Sequence, residues 1–198
     1  MSTTSVAVGS TSADDATERR PDVSVVIPCL NEEAAVGAVV EDALEALASM
    51  GATGEVIVVD NASDDRSSDV ATAAGARVVY EPRRGYGSAY LAGLAAARGR
   101  WVVLTDADRT YDLSAVPALV ERLENGADLV LGTRLKGEIQ PGAMPWSHRW
   151  IGNPILTTML NVFFRAGVSD AHCGLRAIRR SALERLGLVS TGMEFASE

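Results

Sequence analysis

Two aspartates at the end of an apolar run have the clearest chemistry in this sequence. Asp106 and Asp108 come directly after residues 101–105, which read WVVLT. Such a run is typical of a buried parallel strand, and side chains two apart on an extended chain point the same way. We therefore expect both carboxylates at the carboxyl end of a strand, where ligands bind in open α/β sheets. The pair indicates either a site for a hard divalent cation, which would relieve the repulsion between the carboxylates, or a solvated turn.

Two further strand ends carry polar residues toward the same edge. Residues 28–33 read PCLNEE after the first apolar run, and residues 60–65 read DNASDD after the second. The first strand lacks the G-x-G-x-x-G that follows it in dinucleotide-binding folds. Gly85 and Gly87 come after the third strand and are too few for that fingerprint. They could still let backbone N–H groups approach a ligand closely at the start of a helix.

The elements that must position these residues alternate along the chain. This alternation predicts an α/β fold with a mostly parallel sheet flanked by helices. We predict a helix capped by Asn31, with Glu32 and Glu33 in its first turn. Further helices should end at Gly75, cover residues 85–98 and follow the paired aspartates. The predicted strands are 23–28, 55–60, 77–81, 101–105 and 128–132.

The chain divides into three parts by composition. Residues 1–22 are polar, lack the apolar stretch of a signal peptide, and are expected to form a disordered leader. Residues 23–135 form the predicted core. Residues 136–198 contain a bulky apolar helical pattern over 146–164. The late apolar stretch 151–168 is too interrupted to cross a membrane. The last residues look like the beginning of a helix, so we expect the chain to stop short of the complete protein.

Charge and length limit the classes of partner. The 198 residues suit one domain, and a formal charge of −8 argues against nucleic acid as a partner. Lys136 is the only lysine, so almost all positive charge is on arginine, whose forked donors suit phosphate. Cys29 and Cys173 lack metal or redox spacing and are expected to be reduced and buried. Arg179 and Arg180 are predicted to be solvated or to face a membrane.

Five segments in order resemble the family 2 glycosyltransferases of the GT-A fold, from residue 23 to about residue 198. They are VSVVIPCLNEE, VIVVDNASDD, RRGYGSAYLAGLAAARG, VVLTDAD and the later GTR. PWSHRWIGN and DAHCGLRAIRRSAL are similar to the acceptor-side segments of dolichyl- and polyprenyl-phosphate sugar synthases. The resemblance implies a Rossmann-like GT-A sheet with a C-terminal acceptor and membrane-interface helical segment.

The resemblance also implies an activity. It is that of an inverting, metal-dependent hexosyltransferase, which moves a hexose from a nucleotide sugar of the GDP-mannose or UDP-glucose type to a polyprenyl phosphate. Such an enzyme would lie at the cytoplasmic face of the membrane as a peripheral protein, with the 146–164 segment in the interface. A lipid phosphate is already ionised, so it needs no general base and positioning dominates.

Roles for individual residues follow from the resemblance. Asp60 would hydrogen-bond the nucleotide base. Asp106 and Asp108 would hold Mg²⁺ or Mn²⁺ against the donor diphosphate, and the cation would neutralise the leaving group. The implied catalytic residues are Asp108, Arg134 and Arg176. The other implied donor-binding residues are Pro28, Leu30, Glu32, Ser63, Gly85, Gly87, Ala107 and Arg149.

Departures from the family pattern leave alternatives open. Many relatives read Asp-Asp-Gly-Ser after the second strand, where this chain has Asp60-Asn-Ala-Ser63, and Arg109 follows Asp108. One alternative is a family 2 enzyme with a soluble hydroxyl acceptor, which would need a carboxylate base such as Glu194. A second is a nucleotidyltransferase or a non-catalytic nucleotide-sugar binder. A nucleotidyltransferase should carry a Gly-rich basic loop after the first strand. A non-catalytic binder should have lost the two aspartates that hold the metal.

Overall fold

The computed structural model of the chain describes residues 20–133 and 173–198, together with Val162. A six-stranded sheet has the strand order β3-β2-β1-β4-β6-β5. Its strands are β1 (Val23–Cys29), β2 (Gly54–Asp60), β3 (Arg77–Tyr80), β4 (Trp101–Leu104), β5 (Leu129–Leu131) and β6 (Arg176–Arg179). The helices are α1 (Val36–Ser49), α2 (Ser67–Ala73), α3 (Tyr86–Ala96), α4 (Val116–Glu124) and α5 (Arg180–Leu186), with 3₁₀ turns at Leu113–Ala115 and Met193–Ser197.

The predicted mostly parallel α/β sheet is confirmed. β1 pairs in parallel with β2 and β4, and β2 pairs in parallel with β3. β6 runs antiparallel between β4 and β5. β6 is not among the predicted strands, because four residues are too short to show a clear period. This strand comes after residue 135 in sequence but lies inside the sheet of the predicted core.

The sheet is buried on both faces because helices cover both. On one face, Val25 and Ile27 pack with α1 and α4. On the other, Val26 and Ile57 pack with α3 and with Phe195 from the C-terminal 3₁₀ turn. Nearly every residue of β1 is buried, which is why its sequence reads as a continuous apolar run rather than an alternating one.

The predicted cap of the first helix is wrong. α1 begins at Val36 with Ala35 at the N-cap. Asn31 instead has a positive φ of 59°, and its Oδ1 accepts a hydrogen bond of 2.7 Å from the Asp64 N–H. The amide that could have capped a helix is used to join two loops. Glu32 therefore precedes the helix, and its carbonyl accepts from the Val36 N–H at 2.9 Å.

The prediction of solvated or membrane-facing arginines at 179 and 180 is also wrong. Arg179 donates to the Leu123 carbonyl at 2.8 Å, and its guanidinium lies 4.9 Å from the ring centroid of Trp101. Arg180 donates to the Gly99 carbonyl at 2.8 Å. Both side chains fasten β6 and α5 to neighbouring helix ends, because each guanidinium can satisfy carbonyls that a helix terminus leaves unpaired.

Several predicted segments lie outside the described residues. They are most of the leader at 1–22 and the apolar pattern at 146–164 apart from Val162. The described part of the chain contains no helix long and apolar enough to cross a membrane. Near the start of the described residues, the Asp22 N–H donates to the Thr53 carbonyl at 2.6 Å.

Helix α3 lies close to the sheet at Gly93. A Cβ at this position would lie 2.4 Å from Cγ1 of Val26 and 2.8 Å from Cγ2 of Val59. Both valines are fully buried in strands. Neither can retreat without moving the sheet, so glycine at this position sets the distance between α3 and the strands that carry the site.

We predict that Gly93→Ala lowers the free energy of unfolding by about 1–3 kcal/mol, the usual cost of overpacking a core. This loss should exceed the gain of about 1 kcal/mol from better helix propensity. Gly37→Ala in α1 is the matched control, because its Cβ would meet only Cγ1 of Val70, at 3.0 Å. Urea unfolding measures both. Equal stability of the two variants would contradict the close packing of α3.

Candidate functional site

Two loops interlock at the carboxyl ends of β1 and β2. The Asn31 N–H donates to Oγ of Ser63 at 3.0 Å, and the Glu32 N–H donates to Oγ of Ser67 at 2.8 Å. The loops meet because the strands are adjacent and parallel, with Cys29 opposite Asp60. The structure therefore brings together one group of predicted donor-binding residues: Pro28, Leu30, Glu32, Asp60 and Ser63.

Asp60 is a buried carboxylate at the centre of this group. Only 7% of the residue is exposed. Its Oδ1 accepts from the Ser63 N–H at 3.0 Å, and its Oδ2 accepts from Oγ of Ser68 at 2.7 Å. Since a carboxylate can accept about four hydrogen bonds, each oxygen retains acceptor capacity. Asp60 is thus held rigidly and can still accept a hydrogen bond from a ligand.

Asn61 organises the loops around the site and is not among the predicted functional residues. Its side chain donates to the carbonyls of Glu81 at 3.0 Å and Arg83 at 2.8 Å. Its Oδ1 accepts from the Gly85 N–H at 2.7 Å. The residue thereby ties the end of β2 to the loop that leads into α3. An asparagine directly after the apolar run of a predicted strand is the feature of the sequence that could have indicated this role.

The glycines at the start of α3 have a different role from the predicted one. The Gly87 N–H donates to the Gly192 carbonyl at 3.2 Å, and a Cβ at Gly87 would lie 2.1 Å from the Ser190 carbonyl oxygen. A Cβ at Gly85, where φ is +154°, would lie 2.4 Å from the Thr191 carbonyl oxygen. The close approach that these glycines permit is to residues 190–192 of the same chain, so the predicted ligand contact through their N–H groups is replaced by an internal one.

Asp106 and Asp108 follow β4 as predicted, but the surroundings of the two side chains differ from each other. Asp106 is partly buried, and its Oδ1 accepts from the hydroxyls of Tyr86 at 3.0 Å and Tyr90 at 3.3 Å. Asp108 is exposed, and its Oδ1 accepts from the Thr110 N–H at 2.9 Å. Between them, the Ala107 side chain is buried in the core, so this residue can offer a ligand only its backbone.

The electrostatics of the pair favour an added positive charge. Burial raises the pKa of Asp106 above its ordinary value, and the charge of Asp108 adds to the rise, against the opposing hydrogen bond from Tyr86. Burial also raises the pKa of Glu32, with contributions from Asp108 and then Asp65. Glu32 is therefore within electrostatic reach of Asp108, so the loop after β1 lies near the acidic pair.

Arg176 begins β6 opposite Leu104 of β4, and so lies near the acidic pair. Its Nε donates to the Cys173 carbonyl at 2.9 Å and its Nη2 to the Ala196 carbonyl at 2.7 Å. Arg176 also lines a small pocket together with Tyr86, Tyr90 and Phe195. The positive charge of Arg176 lowers the pKa of Asp106 against the effect of burial, as expected for neighbours. The two other predicted arginines, Arg134 and Arg149, lie outside the described residues.

The carboxylates of Asp106 and Asp108 suit a hard divalent cation that a bound ligand also coordinates. Within residues 20–133 and 173–198, no three His, Cys, Asp or Glu side chains form a metal-binding group. Mg²⁺ is commonly held by only one or two carboxylates together with substrate phosphates, so a third protein ligand is not required. The repulsion between Asp106 and Asp108, which a cation would relieve, is the observation that fits such an ion.

Comparisons with known proteins agree with this architecture. The family model described as "Glycosyl transferase family 2" matches residues 24–187. A low-salt glycan biosynthesis hexosyltransferase of Haloferax volcanii is 48% identical over 90% of this chain and 43% of its own length. A dolichyl-phosphate hexose transferase of the same organism is 35% identical over 82% of this chain and 68% of its own length.

A solved structure extends the comparison to three dimensions. Glucosyl-3-phosphoglycerate synthase of Mycobacterium tuberculosis, in complex with Mn²⁺, UDP-glucose and glycerol 3-phosphate, matches with a TM-score of 0.66 and 27% identity. The match covers 89% of this chain and 62% of that one.

The mixed sheet with acidic residues at its carboxyl edge is a GT-A-type fold. The chain belongs to glycosyl transferase family 2. The predicted family and fold are thereby confirmed, and the nucleotidyltransferase alternative loses its support. The chain spans less than half the length of the first relative, at 43%.

We predict that Asp106→Asn stabilises the protein in the presence of a chelator at neutral pH, by about 0.5–2 kcal/mol, as stabilising changes at functional sites commonly do. A carboxyl whose pKa is raised by folding loses stability as the pH rises through that raised pKa. Asparagine removes this loss and keeps the size of the side chain.

Urea unfolding at neutral and at acidic pH measures the effect, and the gain should vanish below the ordinary pKa of an aspartate. Asp112→Asn is the control, since a side-chain and a backbone hydrogen bond from Ser114 hold the pKa of Asp112 below its usual value. A destabilised Asp106→Asn at neutral pH would show that Asp106 is a structural residue.

Proposed function

We propose that this chain carries the donor site of a metal-dependent, inverting hexosyltransferase that moves a hexose from a nucleotide sugar to a polyprenyl phosphate. The observation that carries the proposal is the acidic pair Asp106 and Asp108 at the same edge of the sheet as the buried carboxylate of Asp60. The dolichyl-phosphate hexose transferase supports a lipid-phosphate acceptor, because this chain covers 68% of its length at 35% identity.

The donor would bind across the carboxyl ends of β1, β2 and β4. Asp60 would accept a hydrogen bond from a ring N–H of the base, since its oxygens retain acceptor capacity. Leu30 is 41% exposed and offers an apolar surface for the base or ribose. Glu32 would bind ribose hydroxyls, and its electrostatic coupling to Asp108 supports a path from the base toward the acidic pair.

The donor diphosphate would lie next to Asp106 and Asp108, with a cation between the diphosphate and the two carboxylates. Mg²⁺ or Mn²⁺ would neutralise the charge that develops on the leaving nucleoside diphosphate. The Mn²⁺ and UDP-glucose in the mycobacterial synthase structure support such a cation. Asp106 and Asp108 would hold it by carboxylate oxygens, and Arg176, whose charge acts on Asp106, would contribute positive charge nearby.

The acceptor would approach from the Arg176 side. An ionised phosphate needs no proton removed, so the chain's task is to hold the nucleophile in line with the sugar carbon. We propose that Arg134 and Arg149 also bind phosphates and that the 146–164 segment contacts the membrane surface.

A second candidate is transfer to a soluble acceptor. The likeness to glucosyl-3-phosphoglycerate synthase, with glycerol 3-phosphate in its structure, favours it. A hydroxyl acceptor would need a base, and Glu194 is the candidate. Its Oε1 accepts from the Gly192 N–H at 3.1 Å, and the residue is exposed, so its carboxylate is accessible.

We predict that Asp108→Asn abolishes nearly all transfer, since it removes one of the two charged cation ligands and leaves the exposed turn intact. Transfer of labelled hexose from UDP-glucose and GDP-mannose to short-chain polyprenyl phosphate, with and without chelator, measures it. Asp112→Asn should retain activity. Full wild-type activity in excess chelator would contradict metal dependence.

The acceptor class is tested in the same assay by Glu194→Gln. We predict a mild effect with a polyprenyl phosphate acceptor, because no proton must be removed. If Glu194 were a general base, its loss should reduce the rate about 10²-fold or more. An inactive, folded Glu194→Gln protein, together with transfer to 3-phosphoglycerate and none to lipid phosphate, would establish the second candidate.

A further inference from the structure

Two tyrosine hydroxyls converge on one oxygen of Asp106. Tyr86 and Tyr90 are four residues apart on α3, so their side chains lie on the same face of the helix. The distances to Asp106 Oδ1 are 3.0 Å from the Tyr86 hydroxyl and 3.3 Å from the Tyr90 hydroxyl. No comparable contact is made with Oδ2 of Asp106 among these hydroxyls, so the two oxygens of the carboxylate have different surroundings.

The two hydroxyls are not equivalent. Each carries a single proton, and that of Tyr90 also faces the Thr105 carbonyl, at 3.2 Å. The Tyr86 hydroxyl makes its shortest contact with Asp106, the Tyr90 hydroxyl being 3.5 Å away. Tyr86 is therefore the main donor to the carboxylate.

The tyrosine rings are held by aromatic packing. The Tyr90 ring is stacked on Phe195 with centroids 5.2 Å apart, and the Tyr86 ring meets Tyr90 edge-on at 4.8 Å. Tyr90 is only 2% exposed, and Phe195 only 5%. The hydroxyls therefore have fixed positions, which is what a group needs in order to orient another group.

A glycine leaves room at the other oxygen. A Cβ at Gly174 would lie 2.7 Å from Asp106 Oδ2. Any larger residue at this position would press on the oxygen that the tyrosines leave free. Gly174 is itself fixed, because its N–H donates to the Tyr111 hydroxyl at 2.8 Å.

We propose that Tyr86, supported by Tyr90, is a positioning residue for the cation. The Tyr86 hydroxyl donates a hydrogen bond to Oδ1 of Asp106 and leaves Oδ2 as the oxygen that binds a divalent cation. This inference rests on the proposed metal-dependent function. Hydrogen bonds to a ligating carboxylate orient that carboxylate, and their loss typically weakens metal binding about 10- to 100-fold.

The test is a titration of the chain with Mn²⁺ alone, in which free Mn²⁺ is followed by electron paramagnetic resonance. Tyr86→Phe, which removes only the hydroxyl, should raise the Mn²⁺ dissociation constant about 10- to 100-fold. Tyr90→Phe should have a smaller effect, because its proton is shared with Thr105. The matched control is Tyr80→Phe, whose residue is 64% exposed on β3, and its affinity should equal that of the wild type.

Thermal unfolding separates a positioning role from a structural one. If Tyr86 positions the carboxylate, Tyr86→Phe should keep the wild-type melting temperature in chelator and lose most of the increase that Mn²⁺ gives. A lower melting temperature in chelator with an unchanged Mn²⁺-dependent increase would overturn the inference, as would an unchanged dissociation constant. If the wild type binds Mn²⁺ only together with a nucleoside diphosphate, the same comparison of variants is made in its presence. If the wild type binds no Mn²⁺ under either condition, the proposed metal dependence fails and this inference fails with it. If the wild type binds Mn²⁺ but transfers no hexose, only the proposed function fails.

Discussion

The site depends on keeping one carboxylate partly buried beside another. Burial and the charge of Asp108 both raise the pKa of Asp106, so the ionised form is costly in the absence of a counter-charge. Two hydroxyls and the charge of Arg176 offset part of this cost. The rest of the cost of ionising Asp106 is the physical reason for expecting a cation, since a cation bound between the carboxylates would offset this cost.

The rest of the fold can be understood as support for that carboxylate. α3 supplies the tyrosines, and its closeness to the sheet is set by Gly93. Asn61 fixes the loop that leads into α3, and the segment around Phe195 covers the aromatic rings. Residues far apart in sequence therefore act on one oxygen atom, and a site built in this way needs the C-terminal segment as well as the strand ends.

Much of this could be predicted from the sequence. Long apolar runs such as that of β1 predicted their strands, and the strand ends brought the acidic pair and Asp60 to one edge. What failed depended on partners distant in sequence. Asn31 is a good capping residue by type, but its amide bonds to Asp64, and Arg179 packs on Trp101 instead of facing solvent. The contacts of Gly87 with residues 190–192 could not be predicted, because no local pattern indicates what approaches a glycine.

The central claim is that Asp106 and Asp108 hold a cation against the donor diphosphate. Its most direct test is a crystal structure of the chain with Mn²⁺ and a nucleoside diphosphate, with anomalous diffraction recorded at the manganese edge. We expect one anomalous peak at coordination distance from Oδ2 of Asp106, from Asp108 and from the diphosphate, with Oδ1 of Asp106 still bonded to Tyr86. A diphosphate bound at this edge with no manganese beside the two aspartates would contradict the account.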